Sequence, residues 1–146
     1  MSEAEARGHL QTAKAVQDYV MAGHGIITVR SKKTGSHFTY KLATPQGKTA
    51  PIFVKVLTGD DNTNNYSFIG TLFPGRTYHH SIKSRIGSQA PSVIAFKWLV
   101  DDYHRAVRHA DVWHEGVCGR CGRKLTVPSS IERGIGPDCA EQMGLF

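Results

Sequence analysis

The sequence predicts an α+β fold: a four-stranded antiparallel meander covered by two helices, with a treble-clef-like zinc module at its C-terminal end. Three observations predict it. Between residues 26 and 73, Val, Ile, Thr, Tyr and Phe are dense and broken by turn residues, the composition of strands. On either side, residues 3–22 and 92–107 place apolar side chains at three-to-four spacing, the period of a helix with one buried face. All three cysteines fall between positions 118 and 139, close enough for one metal ion to gather them. The expected division is an α+β domain over 1–110 and a zinc-binding module over 111–146. No Gly/Ser-rich or Pro-rich linker separates the two, so the module is expected to pack on the domain.

In the first helical stretch Leu10, Ala13, Val16 or Val20, and Tyr19 fall near one face, and Gly23-His24-Gly25 ends it. Residues 26–30 and 37–42 flank a polar turn and read as a hairpin. In the second of these strands Phe38, Tyr40 and Leu42 alternate with His37, Thr39 and Lys41, so one face is apolar and the other polar and basic. Residues 52–58 and 66–73 supply two more strands. The turn between them, 59–65, is rich in Asp and Asn but lacks the spacing and closing Glu of a calcium loop. Pro91 and Ser92 open a second helix whose stripe is Val93, Phe96, Leu99, Val100, Tyr103 and Val107, with Trp98 at its flank and Asp101, Asp102, Arg105 and Arg108 mainly opposite. Its aromatic residues read as core. Residues 110–113 read as a direct connection to the module.

The C-terminal residues carry the clearest chemistry. His114, Cys118, Cys121 and Cys139 form the pattern H-x3-C-x2-C-x17-C, a four-ligand Cys/His set of the kind that holds one structural zinc ion. Gly119 sits inside the Cys118–Cys121 turn, where converging sulfurs need an unusual backbone. Arg120, Arg123 and Lys124 favour thiolates there. Pro137 suits the first turn of a short helix that would place Cys139 at a positive dipole end. His109 or His104 are alternatives to His114 as the fourth ligand. A thioredoxin-like redox pair is disfavoured, because no strand-to-helix context precedes Cys118.

The string WHEGVCGRCGRKLTVPSSIERGIGPDCA resembles a small zinc-finger-like family of uncharacterised domains found in phage and actinobacterial proteins, with the pattern W-H-x-G-x-C-G-x-C-G-R followed by G-I-G-P-x-C. The resemblance covers about 27 residues directly. It implies a metal-stabilised module and a mobile-element, phage-encoded context, and it brings no reaction with it.

Charge points to a partner. The chain carries a formal +6, and residues 25–89 hold nine basic and two acidic side chains, so the excess is concentrated there. A one-sided basic segment favours an anionic partner, most often nucleic acid or an acidic protein face. The candidate binding residues are Arg30, Lys32, Lys33, Lys41 and Lys55 of the β region, with Arg76, Tyr78, His79, His80, Lys83 and Arg85 of the stretch 76–89. That stretch reads as a flexible loop able to meet phosphates by charge and to stack a base on Tyr78. No phosphate-cradling Gly motif, carboxylate cluster or nucleophile motif appears, and a closed zinc site leaves no open position for catalysis. The expectation is therefore a non-enzymatic zinc protein that binds nucleic acid or a nucleoprotein complex. The alternative is a protein-binding inhibitor of a host defence complex, of the anti-CRISPR kind. With no apolar run of about 18 residues and no signal-peptide layout, the expected location is the cytoplasm.

Overall fold

The computed structural model describes residues 8–48, 50–58, 65–73 and 78–114. In chain order these form α1 (Ala13–Ala22), β1 (Ile26–Ser31), β2 (His37–Ala43), β3 (Ile52–Leu57), β4 (Tyr66–Leu72), β5 (Tyr78–His80), α2 (Pro91–Asp101), α3 (Tyr103–His109) and β6 (Ala110–His114). The architecture is α+β. The four expected strands pair in sequence order as an antiparallel meander, but the sheet has six strands in the order β5-β4-β3-β2-β1-β6. Both extra strands sit at its edges.

One is β5, three residues from what reads as a basic loop. It pairs with β4 because Gly70 has no side chain: a Cβ there would collide with the His79 carbonyl oxygen and the Tyr78 ring. The other is β6, which replaces the expected connector and lies antiparallel on β1, with Val29 opposite Val112 and Ile27 opposite His114. The expected boundary after residue 110 thus falls inside a strand of the main sheet. On its outer side β6 is met by His9, bridged to Trp113, and by the Leu10 N–H, which donates to the Val112 carbonyl at 2.8 Å.

That contact also interrupts the helix expected over 3–22. Residues 9 and 10 are held against β6, and the helix starts only after Thr12, whose hydroxyl accepts from the Ala15 N–H at 3.1 Å as an N-cap. Gly23 closes the helix in the left-handed region at φ 82°, where a Cβ would also strike the Thr44 hydroxyl. The second expected helix is likewise divided. Asp102 takes an extended backbone between α2 and α3 and its carboxylate accepts from the Arg105 N–H at 3.1 Å, so the residue that ends one helix caps the next.

The three helices lie on one face of the sheet and enclose the core. Phe96 of α2 is fully buried between Tyr40 of β2 and Tyr78 of β5, at ring distances of 5.0 and 5.5 Å. The Tyr40 hydroxyl donates to the Ser92 carbonyl at 2.6 Å, which ties α2 to the middle of the sheet. Burial pushes the Tyr40, Tyr78 and Tyr103 phenols well above their ordinary range, so all three stay neutral. Among the described residues no helix is long and apolar enough to cross a membrane.

The Asp102 cap has a pH signature. Its hydrogen bond from the Arg105 N–H, helped by the nearby Arg105 charge, holds its carboxyl below the usual carboxylate value. A carboxylate lowered on folding stabilises fully above its unfolded pKa of about 3.9, and that contribution disappears as the pH falls through the folded value. The melting difference between wild type and Asp102→Asn should therefore be largest near neutrality and shrink on acidification below that value. A difference that grew in acid would contradict the cap.

Candidate functional site

Strand alternation sorts the basic residues of the β region onto different surfaces. Ile27, Val29, Tyr40, Leu42, Ile52, Val54 and Val56 point into the core, so the residues between them point to the other face, where none of the described helices lies. That helix-free face carries Thr28 and Arg30 from β1, Thr39 and Lys41 from β2, and Phe53 and Lys55 from β3. The Thr28 and Thr39 hydroxyls meet across the strands at 2.9 Å, which confirms the shared face.

In β4 a bulge sets the outcome. Val54 pairs with Gly70 and Lys55 with Phe68, leaving Ile69 as the extra residue. Ile69 is buried in the core, while Phe68 and Tyr66 join Lys55 on the helix-free side. Phe53 and Phe68 then meet edge to face at 6.0 Å. The Lys41 ammonium stands 5.8 Å from the Tyr66 ring centroid. Lys41 and Lys55 are direct cross-strand partners. The centre of this face is thus two ammonium groups bordered by three aromatic rings, all of them partly accessible.

Toward β6 the face changes character. The Arg30 guanidinium lies 4.6 Å over the Trp113 ring, and its Nη2 stands 3.8 Å from the Asp111 carboxylate. His9 reaches the same carboxylate at 3.3 Å and packs on Trp113 at 5.5 Å. Arg30 is therefore partly committed to its neighbours, whereas Lys41 and Lys55 form no ion pair among the described residues.

The other expected binding residues are dispersed. Lys32 and Lys33 occupy the β1–β2 turn at the end of the sheet, and the Lys32 ammonium donates to the Val107 carbonyl at 3.4 Å. His79 is exposed on β5. Lys83 and Arg85 are exposed in the turns that follow it. Arg76 lies outside the described residues. Tyr78 is a correction: the stacking ring expected on a loop is only 4% exposed, packed on Phe96, with its hydroxyl 3.0 Å from His80 Nδ1. A strand beside β4 turns residue 78 inward by the same alternation that turns His79 outward. In the same way the structure supplies rings that the sequence reading passed over, Phe53, Tyr66 and Phe68.

Of the expected zinc set only His114 lies within the described residues; Cys118, Cys121 and Cys139 lie outside them. His114 ends β6 with its side chain on the core side, 6% exposed, its ring 5.3 Å from that of Tyr19. His104 and His109, the alternatives, are both exposed on α3. Among the described residues no group of three or more His, Cys, Asp or Glu is gathered as a metal site. By sequence, the buried His114 stands four residues before the first of the three cysteines, a Cys/His donor set of the type that zinc takes.

No curated protein and no solved structure matches the chain. Residues 108–144 match the model of a family of unknown function, DUF6011. The matched segment starts inside α3 and includes all of β6, so the similarity takes in an edge strand of the sheet together with the cysteine-bearing residues.

Proposed function

We propose that the chain is a small non-enzymatic binding protein that holds single-stranded nucleic acid, free or within a nucleoprotein complex, on the helix-free face of its sheet. One observation carries the reading: Lys41 and Lys55 stand side by side among Phe53, Tyr66 and Phe68. Single strands expose base faces that stack on aromatic rings, while ammonium groups meet the phosphates between them. A strand running over this face would set bases on Phe68 and Phe53 and phosphates against Lys41 and Lys55. Arg30 on β1 and the His79 imidazole on β5 lie on the same face to either side and offer further hydrogen-bond donors.

The C-terminal residues complete the reading as a structural clasp. His114, Cys118, Cys121 and Cys139 would hold one zinc ion, which when bound cross-links the chain without an open coordination position. His114 contributes by anchoring the clasp to the sheet, because its strand is paired with β1 and its ring is packed on α1.

Fluorescence anisotropy with a labelled single-stranded oligonucleotide tests the site. Lys41→Glu with Lys55→Glu should weaken binding at low salt by about 100-fold and flatten the dependence of affinity on salt. Phe68→Ala should cost about 1–3 kcal/mol of binding, the usual worth of one stacked base. Binding that survives the double reversal unchanged would remove this face from consideration.

A further inference from the structure

On the opposite side of the sheet the β1–β2 turn runs past the end of α3, where the Lys32 N–H donates to the His109 carbonyl at 3.0 Å. A cleft of about 800 Å³ opens there, its apolar lining including Val29, Phe38, Ile94 and Trp98. Ile94 is 49% exposed although it sits in the middle of a helix, and Trp98 lies against the cleft with the Arg105 guanidinium 5.3 Å from its ring. The helical pattern of residues 92–107 places Trp98 beside the buried stripe, which is why it reads as core flank rather than as the wall of a site.

The charged side chains of its lining are of one sign: Lys32, Lys33 and Arg108 belong to it and no carboxylate does. Neither Lys33 nor Arg108 makes an ion pair among the described residues. The volume falls within the range of pockets that enclose small ligands, and such pockets combine an apolar lining with a few polar groups that fix one end of the ligand. We infer that this cleft binds a small amphiphilic anion, an alkyl or aryl body seated on Trp98 and Ile94 with its carboxylate, sulfonate or phosphate head at Lys33 and Arg108. Charge complementarity selects that occupant: an apolar cation or a neutral alcohol could meet the apolar lining but would leave Lys33 and Arg108 without a counter-charge.

Dodecanoate and dodecyltrimethylammonium, below their micelle concentrations, separate the apolar contribution from the charged one. In isothermal titration with the full chain, dodecanoate should saturate at one per chain and bind at least about tenfold more tightly than the ammonium compound. Ile94→Glu and Arg108→Glu, both at exposed positions, should each lower dodecanoate affinity by about tenfold or more while circular dichroism and melting remain those of wild type. Equal affinity for the two amphiphiles would overturn the inference, as would binding that neither variant alters. So would sedimentation of the ligand-free chain as a dimer that Ile94→Glu dissociates, because the cleft would then be a contact between copies.

Discussion

Phe96→Ala is expected to lower unfolding stability by about 3–5 kcal/mol, the range for removing a buried aromatic side chain without collapse of the space left behind. The site offers little chance of collapse. Phe96 fills the gap between Tyr40 and Tyr78, and both tyrosines are fixed at their hydroxyls, one by the Ser92 carbonyl and the other by His80. Neither ring can move into the cavity without giving up a hydrogen bond in a buried setting, which carries its own cost. Small domains have only about 5–15 kcal/mol in total, so the variant should be partly unfolded at physiological temperature. Urea titration of wild type, Phe96→Leu and Phe96→Ala gives the series, with the leucine variant expected to lose less than the alanine variant. An alanine variant that unfolds with the wild-type midpoint would mean that α2 does not depend on this contact.

The second large effect concerns the metal. The purified chain should carry one zinc ion, and Cys121→Ser should release it with a steep fall in melting temperature, since structural zinc in small modules supplies on the order of 10 kcal/mol of folding free energy. Elemental analysis read beside a melt decides the matter. A wild-type chain that is folded, metal-free and indifferent to chelators would eliminate the zinc site.

His114 needs a different readout, because its ring also packs on Tyr19 and its replacement would destabilise the core whether or not it binds metal. Cobalt substitution supplies one. The visible bands of a cobalt site report its ligand set, so His114→Ala should alter the spectrum, and unchanged bands would pass the fourth position to His109 or His104.

Much of the fold could be read in advance where alternation was clean. In β2 the contrast between Phe38, Tyr40 and Leu42 and their polar neighbours assigned both faces correctly, and Val16, Tyr19, Val93, Phe96 and Leu99 were placed in the core by spacing alone. Strand β3 was less legible. Its sequence IFVKVL is apolar on both faces except at Lys55, so composition did not show which side was covered. Lys55 contained the missing signal: a charged residue marks the uncovered face, and Phe53, two residues earlier, must share it. For Phe68 and Tyr66 the bulge at Ile69 shifted the count by one, and no local pattern announced it.

The two edge strands were hidden for another reason. Tyr78-His79-His80 is too short to show a period, and Ala110–His114 follows a helix without any turn residue to mark the change. Their strand character comes from their partners: the distant β1 for one, and for the other a glycine on the preceding strand, β4, that admits a close neighbour. Division of the 92–107 helix at Asp102 was hidden as well: Asp102 reads as a polar outer-face residue, and only in the fold does its carboxylate cap α3.

The pairing of Lys41 with Lys55 has a meaning for selection as well as for binding. Like charges set opposite each other on adjacent strands repel and weaken the sheet. A threonine or glutamate at either position would give a quieter sheet, so the native sequence stands below its attainable stability at this point. The deficit is local, sits in the middle of the exposed face, and is relieved by any anion that settles between the two ammonium groups. On the proposed reading, an occupied sheet would be tighter than an empty one, and the repulsion between Lys41 and Lys55 in isolation would become part of the driving force for association.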